Sequence, residues 1–167
     1  MASYVDKIVD RGALLIRARA WRARGETRGA SIVLANGCFD VLHAGHVRYL
    51  RAAAQLAGKL VVAVNADAST RQLKGPGRPI LPEQARAELV AALAGVAAVT
   101  IFPELTVEPL LRALRPDIHA KGTDYTPESV PEAALARELG IAIHIVGDPK
   151  HHATRDLFAR IREERRY

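Results

Sequence analysis

Hydrophobic positions along the chain fall into short unbroken runs that alternate with stretches of helical spacing. Unbroken runs are typical of strands buried on both faces of a parallel sheet, and they occupy residues 32–35, 60–64, 98–102, 117–120 and 141–146. Apolar residues at helical spacing predict helices over 3–24, 45–57, 82–94, 107–114, 129–139 and 154–164. This alternation predicts an α/β fold: a doubly wound, Rossmann-like parallel sheet of about five strands with helices on both faces.

The first thirty residues precede the alternating pattern, so we predict an N-terminal helical extension over 1–30 and a main domain over 31–167. Ser3 is placed to cap the helix of the extension. The apolar side chains of this helix exceed what a solvated tail needs. They predict packing, either on the main domain or on a second subunit.

Charge is distributed unevenly along the 167 residues, whose net charge is +6. Residues 1–30 carry seven Lys or Arg and three Asp or Glu, residues 148–167 carry six and four, and residues 31–147 carry eleven of each. A nucleic-acid-binding protein usually clusters its basic residues on the working face. The excess at the two ends therefore indicates solvated helix faces and argues against a nucleic-acid partner.

No apolar run approaches the roughly 18 residues that a membrane helix needs, and the first ten residues lack the apolar core of a signal peptide. The single cysteine, Cys38, excludes an internal disulfide and fits a reducing compartment. We therefore expect a cytoplasmic protein with no membrane partner.

Candidate chemistry is concentrated after the first strand, where the chain reads Asn36-Gly-Cys-Phe-Asp-Val-Leu-His-Ala-Gly-His46. In a doubly wound sheet, ligands bind at the carboxyl ends of the strands. His43 and His46 are three residues apart, so both imidazoles can face one side of the following helix. Gly45 lets a ligand approach the backbone. Because a helix N-terminus favours phosphate, the segment predicts a site for the phosphates of a nucleotide.

Other interpretations of this segment stay open. Asp40 orients a histidine or caps a turn. Cys38 is a nucleophile or, as is usual at a strand end, a small hydrophobic residue. The two histidines would be half of a metal site only if further ligands followed at suitable spacing, and none does, so no metal bound by the protein is predicted.

The loop over 65–82 carries Lys74 and Arg78 among glycines and prolines. It predicts either a mobile loop that closes over phosphates or a plain surface loop. Asn65, at the strand end, is predicted to shape a sugar pocket. Arg86, in the next helix, reaches the pocket or forms a surface salt bridge.

The fourth strand is followed by a second loop of interest. Gly122 would let a flat base lie against the backbone, and Asp124 would hold the base or the sugar. Lys121 is interpreted as a phosphate contact or as a charge at the rim of the site.

The motif Asn36-Gly-Cys-Phe-Asp40, followed by His43-Ala-Gly-His46, resembles the HxGH signature of the nucleotidyltransferase superfamily, in its cytidylyltransferase-like branch. The resemblance covers residues 31–161. Within that branch, the chain resembles the sugar-phosphate nucleotidyltransferases typified by D-glycero-β-D-manno-heptose 1-phosphate adenylyltransferases. Four further collinear segments carry this likeness: Val62-Ala-Val-Asn-Ala-Asp-Ala-Ser69, Leu73-Lys-Gly75, Arg78-Pro-Ile80 and Lys121-Gly-Thr-Asp-Tyr125.

The resemblance implies catalysis by His43 and His46. Our hypothesis places His46, which is nearer the helix, at the α-phosphate of the nucleotide and His43 at the β-phosphate. The resemblance implies nucleotide contacts from Cys38, Phe39, Asp40, Gly45, Gly122, Asp124, Thr154 and Arg155. It implies substrate or phosphate contacts from Asn65, Lys74, Arg78 and Lys121.

The last loop departs from the pattern of the family, which presents a Ser/Thr-rich turn to the β- and γ-phosphates. Residues 153–155 are Ala-Thr-Arg, so Thr154 alone keeps a hydroxyl at these positions. Arg155 would pair with phosphate directly instead. His151 and His152 would do likewise.

The function implied is transfer of a nucleotide from an NTP, with ATP preferred, to a sugar 1-phosphate such as the heptose 1-phosphate, releasing pyrophosphate. Mg²⁺ would be the cofactor, carried by the NTP, and a homodimer is expected. Two alternatives stay open: a cytidylyltransferase for glycerol 3-phosphate or a similar polyol phosphate, and a non-catalytic nucleotide-binding module. Such enzymes often occur fused to a sugar kinase, so we expect a stand-alone form or one half of such a protein.

Overall fold

The computed structural model describes residues 3–25, 32–56 and 58–148. Within these ranges, the strands are β1 (Ile32–Gly37), β2 (Lys59–Asn65), β3 (Val96–Phe102), β4 (Ile118–Gly122) and β5 (Ala142–Val146). The helices are α1 (Arg11–Ala23), α2 (Ala44–Ala54), α3 (Asp67–Lys74), α4 (Glu83–Ala91), α5 (Glu108–Leu114) and α6 (Ala133–Leu139). No helix in the described ranges combines the length and apolar character needed to span a bilayer.

The five strands form one parallel sheet in the order β3-β2-β1-β4-β5. Alternate residues of the central strand β1 point to opposite faces, where helices cover both sides. Ile32 and Leu34 pack with Leu14 of α1, whereas Val33 packs with Leu50 of α2. The predicted doubly wound sheet is therefore confirmed.

The chain changes direction across the sheet after β3, because β4 pairs with the opposite edge of β1. The loops that follow β1 and β4 therefore leave the sheet in opposite directions. A crevice opens between these loops at the carboxyl ends of the two strands. This switch point is where doubly wound folds bind ligands.

The predicted helix over 3–24 is wrong in its first third. Tyr4–Lys7 form a short 3-10 turn, and Ile8 then forms a bridge with Val99 on the edge strand β3. α1 begins only after Asp10, whose carboxylate accepts a hydrogen bond from the N–H of Ala13 at 2.8 Å. Pairing with an otherwise open strand edge satisfies backbone groups that a longer helix would leave exposed there.

The predicted loop over 65–82 is wrong in part, because its first half is helix α3 (Asp67–Lys74). Ser69 and Thr70 are buried, and their hydroxyls donate to the carbonyls of Ala66 and Asn65 at 3.2 and 3.4 Å. These residue types usually signal loops, because their side chains bond to nearby backbone. Here the acceptor carbonyls lie just before the first turn of α3, so both residues belong to a helix that their residue types do not predict.

The remaining helices lie where they were predicted, with shifted ends. α6 begins at Ala133 rather than at 129, because Thr126 and Ser129 bond to each other's backbone and form a turn. The helix predicted over 154–164 lies outside the described residues.

Helix α1 packs on the main domain. Its residues Leu14 and Ala18 are fully buried against the face of the sheet that helix α5 also covers. The division of the chain at residue 30 stays a prediction. The packing nevertheless makes α1 part of the same hydrophobic core.

Replacing Leu14 with alanine is expected to lower the free energy of unfolding by about 3 kcal/mol, because it leaves a cavity at a fully buried position. Ile16 lies on the same helix but is 68% exposed, so Ile16→Ala should change that free energy by less than about 0.5 kcal/mol. Urea denaturation followed by circular dichroism measures both values. An equally small loss of unfolding free energy in both variants would show that α1 contributes no side chain to the hydrophobic core.

Candidate functional site

The turn from β1 into α2 has an unusual backbone. Phe39 and Val41 have φ angles of 49° and 59°, in the left-handed region that side chains other than glycine rarely adopt. Each such residue costs roughly 1–2 kcal/mol relative to ordinary backbone. The turn also folds back tightly, since a Cβ at Gly37 would lie 3.2 Å from the Phe39 ring.

The two histidines of the motif lie together at the start of α2. His43 is the N-cap residue, and its Nδ1 accepts a hydrogen bond from the N–H of Gly45 at 3.1 Å. His46 Nδ1 accepts from the N–H of His43 at 3.4 Å. Their rings stack with centroids 3.8 Å apart, and the Phe39 ring packs edge-to-face with His46, with centroids 5.3 Å apart. The spacing of three residues therefore does bring both imidazoles to one side of the helix.

These hydrogen bonds determine which nitrogen carries the proton. A neutral imidazole has one donor and one acceptor nitrogen. Because Nδ1 is the acceptor in both His43 and His46, Nε2 is the N–H donor in each. The N-terminus of α2 thus has two side-chain N–H donors beside its own backbone N–H groups, which is a suitable environment for phosphate oxygens.

Helix α2 is anchored to the far side of the switch point. The Tyr49 hydroxyl donates to the carbonyl of Ala120 in β4 at 2.8 Å. After β5, Gly147 has a φ of 101°, and a Cβ there would lie 3.3 Å from the Cα of Tyr49. This close approach packs the end of β5 against the helix that carries His46.

Asp40 caps a distant loop rather than orienting a histidine. Its buried carboxylate accepts hydrogen bonds from the N–H groups of Ile80 and Leu81 at 2.9 and 3.2 Å. Arg78 Nη1 also donates to it at 2.7 Å. The end of the loop that was predicted to be mobile is therefore tied to the β1–α2 turn, while Lys74 is exposed at the end of α3.

Asn65 is buried at the end of β2 and bonds within the protein. Its Nδ2 donates to the Ser69 hydroxyl at 3.4 Å, and the Cys38 thiol donates to its Oδ1 at 3.8 Å. Cys38 is partly buried. The two side chains link the carboxyl ends of the neighbouring strands β1 and β2.

Lys121 is buried, so its interpretation as a rim charge is wrong. Only 6% of the residue is exposed, and its Nζ lies 3.1 Å from both Glu132 Oε2 and Asn36 Oδ1. The ring of Tyr125 lies 5.2 Å from the same ammonium. A lysine is tolerated at such depth because an anion and a carbonyl oxygen, both distant in sequence, compensate for its lost hydration.

His119 lies two residues before Lys121 on β4, on the same face of the strand, and shares this environment. It is fully buried, and its Nε2 lies 3.0 Å from Asn36 Oδ1 while its Nδ1 has no hydrogen-bond partner among the described residues. Burial, with a smaller contribution from the nearby Lys121 charge, lowers the pKa of His119 to about 3. The ring is therefore neutral at physiological pH.

Arg86 is the residue whose environment differs most from its prediction. We expected a pocket contact or a surface salt bridge, but its side chain is fully buried. Nη2 donates to Asp67 at 2.7 Å, Nε to the carbonyl of Leu81 at 3.0 Å, and Nη1 to the carbonyl of Cys38. A sequence signal did exist, because position 86 shares the helical stripe of the buried Val90.

The loop after β4 is open. A Cβ added at Gly122 would meet nothing within 4 Å, and Asp124 is exposed. The Thr123 hydroxyl donates to the carbonyl of Asp148 at 3.0 Å, which joins this loop to the chain after β5. The predicted contacts Thr154 and Arg155 lie outside the described residues, as do His151 and His152.

The chain was compared with known proteins, and it matches one family. A family model described as cytidylyltransferase-like matches residues 34–159. The protein named bifunctional protein HldE from Methylobacillus flagellatus is 45% identical over 145 residues, covering 87% of this chain and 29% of that protein. Its namesake from Pelobacter propionicus is 44% identical over 158 residues, covering 95% and 32%. The chain thus spans about a third or less of the length of these curated relatives.

A solved structure shows the same fold. The crystal structure of a lipopolysaccharide core biosynthesis protein from Thermoplasma volcanium has a TM-score of 0.59 and 32% identity to this chain. The match covers 72% of this chain and 98% of that protein.

The neutral His119 makes a testable contribution to stability. Its pKa is about 6.5 when unfolded and about 3 when folded. As the pH falls from 6.5 toward 3, only the unfolded chain takes up the proton, so stability present above pH 6.5 is progressively lost. Between pH 7 and pH 5 we expect the wild-type protein to lose about 2 kcal/mol more unfolding free energy than His119→Gln.

The glutamine keeps an N–H donor for Asn36 but does not titrate, so it is the matched control. Urea denaturation at pH 7, 6 and 5 measures both proteins. Parallel pH curves for the two would mean that His119 titrates normally in the folded state.

Proposed function

Because the chain belongs to the cytidylyltransferase-like family, we propose that it is a nucleotidyltransferase that joins a nucleoside triphosphate to a sugar phosphate and releases pyrophosphate. The observation that carries this proposal is the stacked pair His43 and His46, whose Nε2 donors lie at the N-terminus of α2 beside the switch point. Donors fixed in this way can stabilise charge that develops on phosphate oxygens.

We propose ATP and a sugar 1-phosphate, such as D-glycero-β-D-manno-heptose 1-phosphate, as the substrates. Support comes from the four collinear segments of sequence outside the histidine motif. Similarity to proteins named HldE and to a lipopolysaccharide core biosynthesis protein is consistent with a sugar substrate of the cell envelope.

The chemistry proposed is a direct in-line transfer. An oxygen of the sugar phosphate attacks the α-phosphorus of the NTP, a new P–O bond forms, and the bond from that phosphorus to the bridging oxygen breaks. The electron pair leaves with pyrophosphate. No protein nucleophile is required, because the sugar phosphate is itself the nucleophile, so Cys38 has no covalent role.

In this mechanism the histidines bind and orient phosphates. His46 donates from Nε2 to an α-phosphate oxygen, and His43 donates to the β-phosphate and to the departing pyrophosphate. Their backbone hydrogen bonds hold both rings before substrate arrives, so little reorganisation is needed. Lys74 is exposed near the loop that Asp40 holds and is proposed to reach phosphate from there.

The other predicted contacts belong to the same proposal. Gly122, at the end of β4, and Asp124, on the open loop that follows, are proposed to contact the base or the ribose. Thr154 and Arg155 are proposed for the β- and γ-phosphates. Asn65, Arg78 and Lys121 are bonded to protein groups, so their proposed effect on substrate is through the shape and charge of the site.

Mg²⁺ is proposed to enter with the triphosphate. Among the described residues, no group of three or more His, Cys, Asp or Glu is arranged to hold a metal ion, so the phosphates themselves would be its ligands. When bound, the ion would neutralise phosphate charge. A cytoplasmic location and a homodimer complete the proposal.

Pyrophosphate release tests the proposed substrates. We expect release with ATP, Mg²⁺ and the heptose 1-phosphate, and none when either substrate is omitted. CTP with glycerol 3-phosphate is the decisive comparison. Release with that pair alone would replace the proposed function by a cytidylyltransferase. Nucleotide binding without release from any pair of ATP, CTP, GTP or UTP with these acceptors would favour a non-catalytic module.

His46→Ala is expected to reduce kcat by about 10²-fold or more with a smaller loss of NTP binding, because it removes a donor that acts on transition-state charge. His144→Ala removes an exposed histidine of β5 and is the control, with unchanged kcat expected. Steady-state kinetics and calorimetric NTP binding give the two quantities. Normal turnover in His46→Ala would contradict the assignment.

A further inference from the structure

We propose that Arg86 is a positioning residue: it holds the β1–α2 turn, and through it His43 and His46, in the geometry that turnover requires. The inference deepens the proposed nucleotidyl transfer and rests on it for its catalytic consequence. Arg86 itself lies in α4 and contacts neither histidine in the hydrogen bonds described.

Each nitrogen of the Arg86 guanidinium bonds to a different segment of the chain. Nη1 donates to the carbonyl of Cys38 in the β1–α2 turn, and Nε donates to the carbonyl of Leu81, just before α4. Nη2 donates to the carboxylate of Asp67, the first residue of α3. One buried side chain therefore fixes the distances between the ends of β1, β2 and the loop that precedes α4.

The segment that most needs such support is the turn itself. Phe39 follows Cys38 directly and has a left-handed φ of 49°, and Val41 has one of 59°. Residues in strained conformations persist only where surrounding contacts hold them. The bond from Arg86 to the Cys38 carbonyl acts on the peptide group that enters the first strained residue.

A second connection ties the same elements together. Asp40, between the two strained residues, accepts hydrogen bonds from the N–H groups of Ile80 and Leu81. Arg86 bonds to the carbonyl of Leu81. The turn and the 80–81 segment are therefore connected both directly, through Asp40, and through Arg86, which makes a closed ring of bonds around the turn.

Side-chain packing connects this closed set of hydrogen bonds to the two histidines. The Phe39 ring packs edge-to-face with His46 at a centroid distance of 5.3 Å, and the His43 ring stacks on His46 at a centroid distance of 3.8 Å. A shift of the backbone at Cys38 and Phe39 would move the Phe39 ring, against which the imidazole of His46 packs. Small displacements of reacting groups reduce rates by up to about two orders of magnitude.

The test compares Arg86→Met and Arg86→Lys with the wild-type protein. We expect kcat to fall by at least about 10-fold in both variants, with KM for the NTP changed by less than about 3-fold, since positioning affects the transition state more than substrate binding. Lysine keeps the charge beside Asp67, but one ammonium cannot reproduce the planar fork. Full recovery of kcat by lysine would overturn the proposal in favour of simple charge neutralisation.

A second measurement does not depend on substrate. In ¹H–¹³C spectra of the free proteins, the ring signals of His43 and His46, assigned by single His→Gln replacements, should shift in both Arg86 variants. The signal of the exposed His144 should not. Unchanged ring signals, or wild-type kcat in a folded Arg86→Met protein, would overturn the proposal.

Two further variants separate positioning from general loss of structure. Arg112→Met removes an exposed ion pair with Glu138 and should change neither kcat nor the ring signals. Asp67→Asn alters a partly exposed partner of Arg86 and is the milder variant if Arg86→Met does not fold; the same ring signals should then shift. If the wild-type protein transfers no nucleotide, the proposed function fails, while the ring signals still decide whether Arg86 positions the histidines.

Discussion

The turn between β1 and α2 is the constraint around which the site is built. Two residues with left-handed backbone, Phe39 and Val41, bring the chain from the central strand into the helix that begins beside His43. Residues other than glycine rarely adopt this conformation. The buried hydrogen bonds of Asp40 and Arg86, made to segments some 40 residues away in sequence, hold it. The parallel sheet makes this possible, since it brings every strand-to-helix connection to one edge.

Cationic side chains on both sides of the switch point are paired with carboxylates. Arg78 and Arg86 are paired with Asp40 and Asp67, and Lys121 is paired with Glu132. Arg86 and Lys121 are buried, and cations paired in this way maintain geometry, because removing either partner would leave an uncompensated charge. Direct recognition of phosphate then falls to groups with N–H donors already oriented: the two imidazoles and the N-terminus of α2.

Particular elements show where sequence patterns succeed and where they do not. The run over 32–35 identified β1 because both faces of that strand are covered, which requires apolar residues at every position. Helix α3 is not predicted by the pattern because Ser69 and Thr70, residue types typical of loops, are buried in it and bond to the backbone carbonyls just before it. The helix predicted over 3–24 was too long because Ile8 pairs with Val99, a partner that local periodicity does not reveal.

The sequence by itself determined the order of the strands and of every described helix except α3, the parallel doubly wound sheet and the placement of His43 and His46 at a helix start. These features follow from local periodicity and from spacing within one turn of helix. Only the tertiary structure decided that Asp40 holds a loop, that Lys121 is buried and that Arg86 joins three segments. The environment of a polar side chain depends on partners distant in the chain, and neither its residue type nor its neighbours in sequence specify them.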